Sequence, residues 1–271
     1  MKSRPIGIFD SGIGGLTVAN AISALLPNEQ LIYFGDTAHL PYGDKSAKAI
    51  REYSREIMQF LVNQNCKLIV IACNSASASI GNSFQKWMPK EIPVINVIEP
   101  VVQHIAKQKH KKIGLIGTKR TIKSGVFPKH LKNTAPSKSI QSLATPLLAP
   151  MIEEGFYNNN ISKAVINAYL ENSRLKGIQS LVLACTHYPL IEKQIIELVG
   201  KQTTIVNSAH VVATKVKEVI NKLHLENNQH KPLAHQFYIS DYTPAFEQAA
   251  NRFFGKKVKL TEHNLWKRQK V

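Results

Sequence analysis

The stretch LVLACTHYPLI (181–191) places an unbroken apolar run directly before Cys185, Thr186 and His187. Such a run is typical of a strand that is buried on both faces of a parallel sheet. The polar residues that follow it lie where parallel strands end, which is where open α/β sheets bind ligands. For the thiol of Cys185, four roles are open at this point: packing, a disulfide, a metal ligand or acid/base catalysis.

The same arrangement occurs earlier in the chain. IVIACNSA (69–76) matches LVLACTHY (181–188), and IGIFDSG (6–12) matches IGLIGTK (113–119). The two pairs are offset by 112 and 107 residues, which is nearly one repeat length. Buried strands resemble one another, but the shared Ala-Cys before a small polar residue is a more specific match. This internal repeat predicts two similar α/β domains whose mainly parallel sheets face each other across an active-site cleft.

Short apolar runs alternate with longer amphipathic stretches along the chain, a pattern that favours parallel sheets joined by helices. The predicted strands are 5–10, 30–36, 67–73, 92–98, 112–118, 181–186 and 203–209, and the predicted helices include 46–65, 99–108, 160–173 and 191–199. We expect residues 1–97 plus 211–271 to form the first domain, and residues 98–210 to form the second.

The composition excludes several classes of protein. With 271 residues and 44% hydrophobic content, the chain can bury a sizeable core. No apolar stretch approaches the roughly 18–20 residues of a membrane span, and the N-terminus lacks a signal-peptide core. We therefore expect a soluble, cytoplasmic protein with no membrane partner. Because Asp10 lies so close to the start, we also expect no N-terminal regulatory extension.

The net charge of +17 leaves three explanations open: a solvated basic surface, nucleic-acid affinity, or steering of an anionic small substrate. The densest basic run, KQKHKK (107–112), contains no aromatic residue that could stack on a base. It also precedes an apolar strand directly, which favours a helix end and a loop. Nucleic acid is therefore not the expected primary partner.

The three cysteines are Cys66, Cys73 and Cys185, too few and too widely spaced for a disulfide framework. Zinc needs clustered ligands, and only Cys185 has a histidine nearby, so no metal site is predicted. Cys66 is flanked by Asn65 and Lys67, has no partner in the motifs, and is expected to be an inert packing residue. Cys73 and Cys185 each stand at a predicted helix N-terminus, a position that lowers the pKa of a thiol.

Two activated thiols at matching positions suggest a symmetrical reaction. If the domains close face to face, one thiol removes a proton from a bound carbon and the other delivers a proton to the opposite face. Such a pair inverts a stereocentre with no cofactor. Asp10, Ser11, Asn74, Ser75 and Thr186 also follow strand ends, as does the pair Asp36-Thr37. Each residue could cap a helix, but together they favour a site for a carboxylate.

Five segments closely resemble glutamate racemases, which belong to the cofactor-independent aspartate/glutamate racemase superfamily. They occur in the order of that family and span roughly residues 6–210. The segments are IFDSGIGGLTV (8–18), YFGDTAHLPYG (33–43), IACNSASAS (71–79), EEG (153–155) and CTHYPL (185–190).

The resemblance implies a role for each matching residue. Cys73 and Cys185 would be the two proton donors and acceptors, with Asp10 assisting Cys73, His187 assisting Cys185 and Glu153 near the Cys185 side. Substrate contacts would come from Asp10, Ser11, Tyr42, Gly43, Asn74, Ser75, Thr186 and His187. The resemblance further implies a homodimer with glutamate as substrate and no cofactor, which supplies D-glutamate for peptidoglycan.

Three positions depart from the family pattern. Ser75 stands where the family usually has Thr, which keeps the hydroxyl group. Thr145 stands where many members carry Cys, so that cysteine cannot be essential here. Asn207 replaces the usual Asp and removes a charge from the Cys185 side.

Two alternatives remain open from the sequence. The nearer one is an aspartate racemase, or another amino-acid racemase of the same superfamily. The other belongs to a different class, a basic nucleic-acid-binding protein, and it is prompted by the net charge alone.

Overall fold

The chain forms two parallel β-sheets with helices between their strands, and the computed structural model describes residues 1–228 and 234–266. The strands are β1 (Ile6–Asp10), β2 (Leu31–Gly35), β3 (Leu68–Ile71), β4 (Val94–Asn96), β5 (Lys112–Gly117), β6 (Ser139–Ala144), β7 (Ser180–Ala184), β8 (Thr204–Asn207), β9 (Gln236–Ile239) and β10 (Leu260–Glu262). The helices are α1 (Leu16–Leu25), α2 (Ala47–Asn63), α3 (Asn74–Ile80), α4 (Ile98–Lys107), α5 (Lys119–Lys123), α6 (Val126–Thr134), α7 (Leu148–Glu153), α8 (Asn160–Leu170), α9 (Glu192–Val199), α10 (Ser208–Lys222) and α11 (Pro244–Phe254).

Four strands of the larger sheet have the same order as the four strands of the smaller sheet. The six-stranded sheet runs β10-β9-β2-β1-β3-β4, and the four-stranded sheet runs β6-β5-β7-β8. The strand pairings within the described residues are parallel, with β1 between β2 and β3, and with β5 between β6 and β7. Strand β1 therefore corresponds to β5, and β3 corresponds to β7. These are the pairs of strands that the internal sequence repeat matched. The predicted α/β fold class with parallel sheets is confirmed.

All seven predicted strands are present, and the four predicted helices occur as α2, α4, α8 and α9. The helix predicted over 160–173 ends three residues earlier, at Leu170, and a 3₁₀ turn over Ser173–Leu175 follows it. Strands β6, β9 and β10 were not predicted. Strand β6 is an edge strand of mixed polarity, SIQSLA, whose side chains are mostly exposed or half-buried. It lacks the continuous apolar run that marks the central strands.

One apolar core connects the two sheets. Val212, Val216 and Ile220 of α10 are buried in the same cluster as residues of β1 and β7. A second cluster lies on the other side of the six-stranded sheet, against α2 and α3. The division at residues 97/98 and 210/211 stays a prediction, since strand membership agrees with two units but the core is shared.

No helix within residues 1–228 and 234–266 is long and apolar enough to cross a membrane.

Candidate active site

A cavity of about 260 Å³ lies between the carboxyl ends of the two sheets. The strand order reverses between β1 and β3 in one sheet and between β5 and β7 in the other. In such folds a reversal point of this kind is the usual ligand site. Ser11 and Cys73 follow β1 and β3, and Thr118 and Cys185 follow β5 and β7. The wall consists of Ser11, Leu40, Pro41, Tyr42, Gly43, Asp44, Cys73, Asn74, Ser75, Thr118, Lys119, Thr145, Pro146, Ala149, Pro150, Glu153, Cys185, Thr186 and His187.

Cys73 occupies the N-cap position of α3. Its Sγ accepts a hydrogen bond from the backbone N–H of Ala76 at 3.3 Å and donates one to Ser11 Oγ at 3.6 Å. Burial and the carboxylate of Asp10 raise the pKa of the Cys73 thiol to about 12, against the lowering effect of these two contacts. The lowered pKa predicted from the helix N-terminus is therefore wrong for Cys73, because burial outweighs the backbone dipole.

Cys185 stands at the end of a chain of proton-carrying groups. Its Sγ lies 3.6 Å from Nδ1 of His187, and Nε2 of His187 lies 2.7 Å from Oε1 of Glu153. Burial lowers the pKa of His187, but the acidic groups of Cys185 and Glu153 on its two sides raise it well above its ordinary value. The Glu153 side chain is 27% exposed and that of His187 only 7%. The hydrogen-bonded side chains therefore lead from the buried Cys185 thiol towards solvent.

Asp10 is buried beneath the cavity wall. Its Oδ2 accepts hydrogen bonds from the N–H groups of Gly12 at 3.2 Å and Gly15 at 3.0 Å, and its Oδ1 accepts one from Thr186 Oγ1 at 3.4 Å. Burial raises the pKa of Asp10, and the charge of His187 opposes that shift. Asp10 thus holds the turn before α1, and it acts on Cys73 through its charge. The prediction that it assists Cys73 in proton transfer stays a prediction.

The predicted substrate contacts share the cavity wall, Asp10 excepted. Both amide atoms of Asn74 are buried and lack a hydrogen-bond partner, so they are available to a ligand. Ser75 Oγ lies 2.8 Å from Thr118 Oγ1, which joins the two sheets beside Asn74. The hydroxyl of Tyr42 donates to Asp36 Oδ2 at 2.6 Å. Tyr42 lines the cavity, but its hydroxyl is engaged by Asp36, which is not part of the cavity wall.

Several lining residues were not predicted. Thr118 could have been found, since it follows β5 just as Ser11 follows β1 in the echoed segment. Lys119 comes directly after it and also lines the cavity. Pro146, Ala149 and Pro150 reach the cavity from the segment after β6, the edge strand that the sequence did not reveal.

Cys66 lies outside the cavity wall, with its Sγ packed close to Gly7. It is 1% exposed, and burial raises the pKa of its thiol to about 12. These surroundings agree with an inert packing residue.

Two of the family departures have local partners. The hydroxyl of Thr145 lies 2.6 Å from that of Tyr188, so this position holds a polar pair. Asn207 caps α10 through its Oδ1, which accepts from Ala209 N–H at 2.9 Å. Its Nδ2 donates to Glu192 Oε2 at 2.6 Å. The negative charge that Asn207 lacks is thus present on its neighbour, Glu192.

We expect Asn207→Asp to destabilise the fold by roughly 1–3 kcal/mol, because a charged hydrogen bond would become a contact between two carboxylates. Urea unfolding at pH 7 measures the change in the free energy of unfolding. The double variant Asn207→Asp/Glu192→Gln is the matched control and should recover most of the loss, since the Gln amide can donate to the new Asp. Equal destabilisation in the single and double variants would contradict this account.

Comparison with known proteins places the chain among racemases. The family model described as Asp/Glu/Hydantoin racemase matches residues 16–216. Glutamate racemases of Geobacter metallireducens and Chlorobaculum parvum are each 40% identical, over 95% of this chain and 95% of the former, and over 94% of this chain and 93% of the latter. The crystal structure of glutamate racemase from Francisella tularensis in complex with D-glutamate superposes with a TM-score of 0.91 at 33% identity, covering 99% of this chain and 100% of that one.

Proposed function

The chain belongs to the Asp/Glu/hydantoin racemase family, and we propose that it interconverts L-glutamate and D-glutamate by a cofactor-independent, two-thiol mechanism. The observation that carries the mechanism is the placement of Cys73 and Cys185. Cys73 follows β3 and Cys185 follows β7, and these two strands hold equivalent positions in the two sheets. Both cysteines line the same cavity. The relatives named glutamate racemase support glutamate as the substrate.

In the proposed reaction one sulfur is a thiolate and the other a thiol when substrate binds. The thiolate removes the α-proton, and the thiol delivers its own proton to the opposite face of the α-carbon. The C–H bond that breaks and the one that forms lie on opposite faces, so the stereocentre inverts. Afterwards the two sulfurs have exchanged protonation states, and the site is ready for the reverse reaction.

The α-proton of an amino acid is very weakly acidic, so the thiols need help. On the Cys185 side, His187 and Glu153 form a relay that can return a proton to the thiolate or take one from the thiol. On the Cys73 side, Ser11 is the hydrogen-bond partner of the sulfur, and Asp10 supplies a nearby negative charge. The charge of Asp10 favours the protonated form of the Cys73 thiol, so we propose that Cys73 carries its proton and Cys185 is the thiolate before substrate binds.

The polar residues of the cavity suit the substrate's charged groups. Asn74 has a free buried amide, and Ser75 and Thr186 bring hydroxyls to the same wall. A fixed donor such as the Asn74 amide stabilises the negative charge that develops on the α-carboxylate as the proton leaves. We propose that Tyr42 and Gly43, which line the same cavity, bind the substrate through their backbone, since the Tyr42 hydroxyl is engaged by Asp36.

By the same family membership we propose a homodimer that acts in the bacterial cytoplasm and supplies D-glutamate for peptidoglycan. The experiment that tests the activity follows the optical rotation of L-glutamate, and separately of D-glutamate, with purified protein and no added cofactor. Both should converge on the racemic mixture. L-Aspartate is assayed in parallel, and a strong preference for aspartate would overturn the substrate assignment.

A further inference from the structure

The C-terminal end of α11 reaches the Cys185 side of the cavity, although this helix lies between the strands β9 and β10 of the six-stranded sheet. Two consecutive residues of α11, Arg252 and Phe253, contact the pair His187 and Glu153. We propose that Phe253, supported by Arg252, is a positioning residue that holds the His187 imidazole in line between Cys185 and Glu153. This inference rests on the proposed racemase function.

The ring of Phe253 is 2% exposed, and its centroid lies 5.1 Å from that of His187. The two ring planes meet at 81°, an edge-to-face arrangement that aromatic pairs prefer and that fixes the tilt of both rings. Hydrogen bonds to Cys185 and Glu153 fix the direction of the line through the two ring nitrogens. They leave rotation of the imidazole about that line free, and the Phe253 ring limits that rotation.

Arg252 acts on the other member of the pair. Its Nη2 donates to the backbone carbonyl of Glu153 at 3.5 Å, and Glu153 is the last residue of α7. A cation at a helix C-terminus is favourable because the last carbonyl groups carry partial negative charge. Arg252 thus anchors the end of α7, from which the Glu153 carboxylate reaches His187.

Each side of the imidazole has a neighbour whose identity matters. Cys185 and Glu153 face its two nitrogens, and Phe253 packs edge-to-face against the ring. A Cβ on Gly14 would lie only 2.4 Å from Cε1 of His187, so the glycine leaves the room that the ring occupies. Phe253 is the member of this set that comes from α11, and none of the motifs in the sequence pointed to it.

The test compares Phe253→Leu with Phe254→Leu. Both side chains are buried on α11, but the ring of Phe254 packs 5.0 Å from Phe237, away from the cavity. We expect Phe253→Leu to lower kcat about tenfold with KM changed less than about twofold, because misplaced catalytic groups cost turnover. Phe254→Leu should keep kcat within about twofold of wild type. Thermal unfolding of the two variants shows whether they lose stability equally.

Isotope effects separate positioning from general damage. With α-deuterated L- and D-glutamate, Phe253→Leu should raise the primary isotope effect in one direction of turnover only, namely when Cys185 removes the proton. Loss of structure alone would lower both rates and leave both isotope effects unchanged, and that result would overturn the proposal. So would equal kcat values for the two variants. A wild-type protein that fails to racemise glutamate would instead overturn the proposed function.

Discussion

Replacing either catalytic thiol, in Cys73→Ala or in Cys185→Ala, should abolish racemisation of glutamate, with kcat lowered by about 10³-fold or more. Inversion needs a proton acceptor on one face of the α-carbon and a donor on the other, and each variant keeps only one of them. The loss should therefore occur in both directions, whichever enantiomer is supplied. Polarimetry with L-glutamate and with D-glutamate measures it.

The surviving thiol should still work on its own face. In ²H₂O, each variant is expected to exchange the α-proton of one enantiomer without inverting it, and the two variants should choose opposite enantiomers. Proton NMR of the recovered glutamate detects this exchange. Cys66→Ala is the matched control, since this cysteine is equally buried but lies outside the cavity, and it should racemise at nearly the normal rate. Normal racemisation by Cys73→Ala or Cys185→Ala would refute the two-thiol mechanism.

Most of the fold prediction came from the internal sequence repeat. Two apolar strands that lead into Ala-Cys recur 112 residues apart, close to the 107-residue offset of the other matched pair. The structure places them as β3 and β7, at equivalent positions in the two sheets. Buried parallel strands are continuously apolar, so a short stretch of sequence is enough to predict where each one lies. The thiols could be predicted for the same reason, because each directly follows such a strand.

What the sequence did not reveal depends on contacts between distant segments. Strands β9 and β10 are short, at four and three residues, and each includes exposed positions, so no local pattern marks them. Phe253 is one apolar residue of an amphipathic helix, and only the tertiary fold brings its ring to His187. Asp36 follows a strand as the other site residues do, yet it lies behind Tyr42 instead of facing the cavity.

The raised pKa of Cys73 is a further property that the sequence could not give. A helix N-terminus stabilises a thiolate, and the Ala76 N–H does point at the sulfur. The opposing contributions come from burial and from Asp10, which lies 63 positions earlier in the chain. Burial of a whole cavity wall cannot be computed from one strand end, so local sequence predicts the wrong direction here.

The turn before α1 provides the other large expected effect. We expect Gly14→Ala to lower kcat by about 10²-fold, the size of the penalty for displacing a catalytic group by roughly 1 Å. The added Cβ would lie 2.4 Å from Cε1 and 2.5 Å from Nδ1 of His187, and 2.7 Å from Thr186 Oγ1. Real Cβ atoms do not approach so closely, so the imidazole must move from its place or the turn must shift.

Gly12→Ala is the matched control in the same turn. Its added Cβ would meet the Leu40 side chain, at 3.5 Å from Cδ2 and 4.0 Å from Cβ, which are ordinary van der Waals contacts. The hydrogen bond from the Gly12 N–H to Asp10 would be kept. This variant should retain kcat within a few-fold of wild type, which steady-state racemisation assays on both proteins can establish. If the two substitutions reduced kcat equally, the effect would belong to the turn as a whole. A selective loss in Gly14→Ala would instead show that turnover depends on where the His187 ring lies, since that ring and Thr186 are what the new methyl group displaces.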